Sequence, residues 1–266
     1  MSASNPKNIL RLRVFAGPNG SGKSTVIEFI RKQKVNGRKI DFGHYINADD
    51  ITRDLMKDGV SFSKYHIKTT PAEFNDYAVS SGLINKGFNK SMFSKSFRLR
   101  ANHLTLAGKS HKNNLAQLTA DFLRRKLLKE RKKFSFETVF SHPSKLEFMQ
   151  EAVKAGYKVY LYFVTTESPE INVFRVQARK KKGGHDVSEN KIRSRYYRSM
   201  DQMFEASMIA DQSYFFDNSS DNRDPKMVAG VKNAGLMPSV EIYNQPNWFI
   251  KYFTNKLTEY YAKLDS

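Results

Sequence analysis

The chain has 266 residues, no cysteine, and 45 Lys and Arg against 26 Asp and Glu, a formal charge of +19. That length accommodates one large α/β domain, residues 1–266, with an insertion, and the missing cysteines exclude disulfides, thiolate nucleophiles and cysteine-ligated zinc. The charge favours anionic partners, among which nucleotides, nucleotide sugars, nucleic acid and an acidic protein all qualify.

No long apolar run precedes Phe15, and the longest elsewhere, around Val159 to Val164, is far too short for a bilayer; a soluble, cytoplasmic protein without membrane association is expected. Leu10 to Phe15 reads as a strand, and Val26, Phe29 and Ile30 give a following segment the apolar period of a helix. Between them Ala16 to Thr25 reads AGPNGSGKST, which meets G-x-x-x-x-G-K-[ST] in the strand, loop, helix context that a Walker loop requires. Gly17, Gly20 and Gly22 permit a tight turn whose backbone N–H groups converge on an anion, and the helix adds its positive end. Pro18, Asn19, Ser21 and Thr25 complete this nucleotide-binding loop. Lys23 is expected to reach the β- and γ-phosphates of ATP, and the Ser24 hydroxyl to ligate Mg²⁺.

A second strand ends at Tyr45 and Ile46 and is followed by Asn47-Ala48-Asp49-Asp50. A carboxylate there suits deprotonation of an acceptor hydroxyl, with Asp49 the first choice and Asp50 the reserve; capping of the helix that carries Ile51 and Leu55 is the competing role, above all for Asp50. Residues 59–114 turn polar, with Phe74, Phe88 and Phe93 scattered without period, and read as an insertion of unassigned structure. Leu115, Leu118, Phe122, Leu123 and Leu127 then mark a helix face. Phe134 to Phe140 is β-prone and holds Glu137, an acid in an apolar run that is expected to meet a cation, a hydroxyl or metal-bound water. Thr138, Ser141 and His142 are candidates for lining an acceptor pocket, Ser141 equally for capping a helix near Pro143.

Lys158 to Thr165 reads as a buried strand. Two basic helices, 171–181 and 189–209, flank Gly183-Gly184-His185 and together make a candidate lid over residues 171–209. Arginines in such a lid neutralise the phosphoryl group in transfer; Arg175 and Arg179, four apart, share a face and are favoured as the catalytic pair, whereas some of Arg193, Arg195 and Arg198 belong to a solvated face. Ser213 to Asp217 is another strand, and residues 245–266 carry a helix with Phe249, Phe253, Leu257, Tyr260, Tyr261 and Leu264 on one side. The alternation predicts a three-layer α/β P-loop NTPase or kinase fold around a parallel central sheet of about five strands.

Taken together, GPNGSGKST at Gly17 to Thr25, N-A-D at Asn47 to Asp49, F-E-T at Phe136 to Thr138, R-V-x-x-R at Arg175 to Arg179, G-G-H-x-V at Gly183 to Val187 and D-N at Asp217-Asn218 resemble the zeta-toxin family of P-loop kinases. The resemblance implies transfer of the γ-phosphate of ATP to a sugar hydroxyl of UDP-N-acetylglucosamine, and an antitoxin partner. It implies that Lys23 holds phosphate, Ser24 holds Mg²⁺, Asp49 is the base, Glu137 fixes the acceptor and Arg179 is the lid arginine. His185 stands where the better-known toxins have a second lid arginine, which leaves Arg193 or Arg195 to supply that charge. Two other readings stay open: a polynucleotide or RNA kinase, marked by salt-sensitive oligonucleotide binding, and a nucleotide-dependent binding module that hydrolyses ATP slowly.

Overall fold

The computed structural model describes residues 9–108, 110–181, 183, 187–221, 223–233 and 237–264. The expectation for His185 lies outside the described residues. Two compact units are formed, one from residues 1–41 and 137–266, the other from 42–136.

In the first unit Lys158–Thr165 pairs in parallel with Arg11–Ala16 on one side and with Gln212–Asp217 on the other. Lys226–Asn233 and Pro238–Ile242 then extend the sheet antiparallel. These two strands are an addition to the mainly parallel sheet expected; among the described residues no helix separates them from Gln212–Asp217, and an antiparallel neighbour needs no helical crossover. Leu12, Val14, Leu161 and Phe163 are wholly buried, which is why the parallel strands read as near-continuous apolar runs. Phe215 packs its ring 5.4 Å from Phe249 and 5.0 Å from Phe253. Burying such a phenylalanine contributes about 1.5–3 kcal/mol, so these contacts fasten the C-terminal segment to the sheet. That segment is not one continuous α-helix: a π-helical stretch, Ile250–Thr254, joins Asn247–Phe249 to Asn255–Leu264.

The expected lid contains Pro169–Lys181 and Glu189–Asp201, which share a small core of Val173, Val176 and Ile192 with Val187 against it. Met203–Ile209 is a separate short helix that follows Gln202, so the second lid helix ends earlier than the pattern suggested.

In the second unit residues 59–114, expected as an insertion of unassigned structure, help build an aromatic core. Phe74 is wholly buried, with the rings of Phe62, Phe93, Phe97 and Phe122 at 5.2 to 6.2 Å. These rings show no sequence period because different elements supply them: the 3-10 turn Phe62–Tyr65, the helices Pro71–Ser80, Lys90–Ser96 and Lys112–Lys129, and the strand Phe97–Arg100. The long helix Lys112–Lys129 contributes Phe122, which is why the unit extends beyond residue 114. A three-stranded antiparallel sheet places His103–Leu106 between Val60–Ser61 and Phe97–Arg100. His44–Ile46 pairs in parallel with Phe134 to Phe136 of the strand Phe134–Thr138.

Candidate phosphate-binding site

The strand Arg11–Ala16 ends in the loop at Gly17, and the helix Lys23–Lys32 begins where it closes. Gly20 and Gly22 have φ of 79° and 82°, a region that only glycine enters without strain. A Cβ on Gly20 would stand 2.6 Å from the Asn172 carbonyl oxygen, and one on Gly22 would stand 1.9 Å from Asn218 Nδ2. Both glycines are thus demanded twice, by backbone conformation and by space. The helix that follows has no acidic residue in its first turn, so its positive end is unopposed by its own side chains.

Lys23 is buried, and its ammonium donates to the carbonyl oxygens of Gly17 and Pro18, both at 2.9 Å. Glu137 Oε1 lies 3.9 Å from the same nitrogen. Of the cation, hydroxyl or metal-bound water expected beside this acid, the structure shows a cation, and it belongs to the Walker loop. Ser24 and Thr25 are exposed at the start of the helix.

Thr138 and His142 make local contacts. Thr138 Oγ1 accepts from the Phe140 N–H at 3.2 Å, and His142 Nδ1 accepts from the Ser144 N–H at 3.2 Å at the start of the helix Ser144–Lys154.

The arginines separate in a way their spacing did not reveal. Arg175 Nη1 donates to the Asn218 carbonyl at 2.7 Å, and its Nε reaches Asp221 at 3.0 Å. It does not form a free pair with Arg179, because the loop after Gln212–Asp217 offers it a carboxylate and carbonyls. Arg179 is exposed and has no side-chain hydrogen bond or ion pair among the described residues. Arg193 is taken by Glu170 and Glu189, and Arg198 bonds back to Ser194 at 3.3 Å. Arg195 is the one that reaches the Walker loop: its Nη1 donates to Asn19 Oδ1 at 3.2 Å. Burial lowers its pKa, and Arg198 lowers it further. No carboxylate faces Arg195 among the described residues, so a half-buried cation without a counter-anion stands at the loop.

In the second unit Asp49 lies in the first turn of Ala48–Met56, but the cap is Asn47, whose Oδ1 accepts from the Asp49 N–H at 2.8 Å. Asp50 pairs with Arg53. Asp49 is exposed and has no ion-pair partner among the described residues.

Two side chains that no local pattern singles out as loop contacts also reach the loop. Asn172 and Asn218 both donate to its carbonyls; Asn218 closes the D-N pattern, whereas a lone asparagine in a basic helix carries no signal.

The Zeta toxin family profile matches residues 90–224, just over half of the chain. The chain belongs to the Zeta toxin family. A curated relative, an uncharacterized protein of Haemophilus influenzae, is 35% identical over 63 residues, 24% of this chain and 45% of that protein. The chain thus spans less than half the length of that relative. Among solved structures, the AvrRxo1-ORF1:-ORF2 complex with ATP shares the fold at a TM-score of 0.54 with 15% identity, covering 94% of this chain and 64% of that one. The structure of the PezAT toxin-antitoxin system of Streptococcus pneumoniae aligns over 98% of this chain and 88% of that one, with a TM-score of 0.49 and 13% identity.

Proposed function

We propose that this Zeta toxin family member is an ATP-dependent phosphotransferase that moves the γ-phosphate to a hydroxyl of a small acceptor, a nucleotide sugar such as UDP-N-acetylglucosamine. The observation that carries this reading is the Walker loop itself, with Lys23 beside Glu137 and Arg195 at Asn19. The two glycine positions that admit no side chain give the loop the form of an anion cradle. The AvrRxo1 complex, which shares the fold, is recorded with ATP; that supports nucleotide as the ligand here.

Lys23 gives up its loop carbonyls for phosphate oxygens. Arg195 and Arg179 add positive charge as the phosphoryl group moves, and such charge is most useful where it strengthens in the transition state. Asp49 accepts the proton of the attacking hydroxyl, for which its lack of a competing cation suits it. Glu137 orients the acceptor and, through Lys23, the phosphate end. The Ser24 hydroxyl is the group that would hold Mg²⁺, and the metal supplies neutralisation of phosphate oxygens. A second protein, an antitoxin, is proposed as the partner that restrains the enzyme. The family supports this, and so does the paired ORF1:-ORF2 composition of the AvrRxo1 complex.

The test is incubation with ATP, Mg²⁺ and a panel of nucleotide sugars, with mass spectrometry of the products. Gain of one phosphate on a sugar nucleotide is expected, and its loss in Lys23→Ala. Phosphate gain only on an oligonucleotide end would replace this reading with a polynucleotide kinase. ATP hydrolysis indifferent to every acceptor would replace it with a binding module.

A further inference from the structure

We propose that Asn172 and Asn218 are positioning residues that hold the Walker loop in its phosphate-binding form from outside, an inference that rests on the nucleotide-binding reading above. Asn172 lies in Pro169–Lys181 and Asn218 follows Gln212–Asp217. Both are buried, at 0% and 8% exposure. Asn172 Nδ2 donates to the Asn19 carbonyl at 2.6 Å, and Asn218 Nδ2 donates to the Ser21 carbonyl at 2.9 Å.

The geometry of the peptide bond turns these two contacts into a device. A trans peptide places its C=O and its N–H on opposite sides, and the chain has no cis bond among the described residues. The Asn19 carbonyl shares a peptide with the Gly20 N–H, and the Ser21 carbonyl shares one with the Gly22 N–H. Holding the two carbonyls outward therefore aims the two N–H groups away from the braces, to the side where an anion is received. The loop sits directly on its braces, as the close approaches of Gly20 to Asn172 and Gly22 to Asn218 show.

The braces are themselves held. Asn172 Oδ1 accepts from the Thr166 hydroxyl, and the Thr166 carbonyl accepts from the Tyr196 hydroxyl at 2.7 Å. The Asn218 N–H donates to the Thr165 carbonyl at 2.9 Å, and the Asn218 carbonyl accepts from Arg175. Arg175 thus acts through Asn218, which gives the first arginine of R-V-x-x-R a positioning role.

The test uses Asn172→Asp and Asn218→Asp, which keep shape but set a carboxylate oxygen against a loop carbonyl. Calorimetric titration of each full-length variant with ATP and with Mg²⁺-tripolyphosphate reads the loop directly, with circular dichroism confirming the fold. About tenfold weaker binding of both ligands than wild type is expected at pH 8, the equivalent of one hydrogen bond. Because a buried carboxyl is protonated readily and its O–H donates again, the defect relative to wild type should shrink at pH 6. If an Asp variant does not fold, Arg175→Gln, which leaves loop and ligand untouched, should weaken both ligands several-fold. Wild-type affinity in the folded variants, or a defect that ignores pH, overturns the braces. A wild-type protein that binds neither ligand overturns the nucleotide reading itself and the braces with it.

Discussion

Asp49 and Asp50 adjoin each other at the start of one helix, yet only Asp50 is held by Arg53. Asp49→Asn should keep ATP affinity and lose transfer by about 10² to 10⁴-fold, the usual contribution of a general base, because an amide holds a hydroxyl but takes no proton. Asp50→Asn should be mild; the larger loss in that variant would exchange the two roles. The same logic separates the arginines. Arg193 is neutralised by two glutamates while Arg195 reaches Asn19, so Arg195→Ala should lower kcat far more than Arg193→Ala, by up to about 10³-fold if it acts as an arginine finger. Arg179→Ala should likewise lower kcat more than it raises KM for ATP. Equal losses in the Arg195 and Arg193 variants would mean that general positive charge is all that counts. The Walker residues and Glu137 were legible as residue types in context. Which arginine reaches the loop was not, since i, i+4 spacing says that two side chains share a face but not what meets that face.

The helices Pro169–Lys181 and Glu189–Asp201, expected as a lid from their basic composition, share an apolar core and are also joined across 23 positions of sequence by Arg193 with Glu170. A hydrogen bond from Ser168, then Arg193, holds the Glu170 carboxyl down at about 2. A depressed carboxylate contributes stability above its ordinary value and loses it as pH falls toward the folded value. Glu170 is 61% exposed, so solvent screens the pair and its contribution is modest. The helix pair should accordingly loosen as pH falls from about 4.5 toward 2. Glu170→Gln should lower Tm slightly at pH 6 and remove that part of the acid-side loss. A variant whose Tm follows the wild type at both pH 6 and pH 3 would show the pair to be inert. In the middle of the chain each helix or strand gives only one or two rings to the aromatic core, so no segment there shows a period of its own.

At the scale of the molecule two properties make opposite demands on the sequence. Phe74→Ala should destabilise the protein by about 3–5 kcal/mol, the usual cost of emptying a phenylalanine site, because Phe74 is wholly buried among four other rings; urea denaturation measures it, and a loss below about 1 kcal/mol would mean the site collapses freely. The charge of +19 is delocalised, and its effect should be a weakening of ATP binding as salt shortens the Debye length from about 10 Å at 0.1 M to 3 Å at 1 M; an affinity flat in salt would leave only the local cations of the loop. Among the described residues no helix is long and apolar enough to cross a membrane. The sequence by itself determined the parallel strands, the Walker loop and the family patterns, because strand burial, glycine conformation and phosphate geometry are local demands written into adjacent residues. Only the tertiary structure decided that Asn172 and Asn218 grip the loop, that Arg175 serves Asn218 while Arg195 faces Asn19, and that residues 42–136 fold around shared aromatic rings. Those contacts join positions far apart in the chain, and what a side chain bonds to there depends on which strand or helix is packed against it.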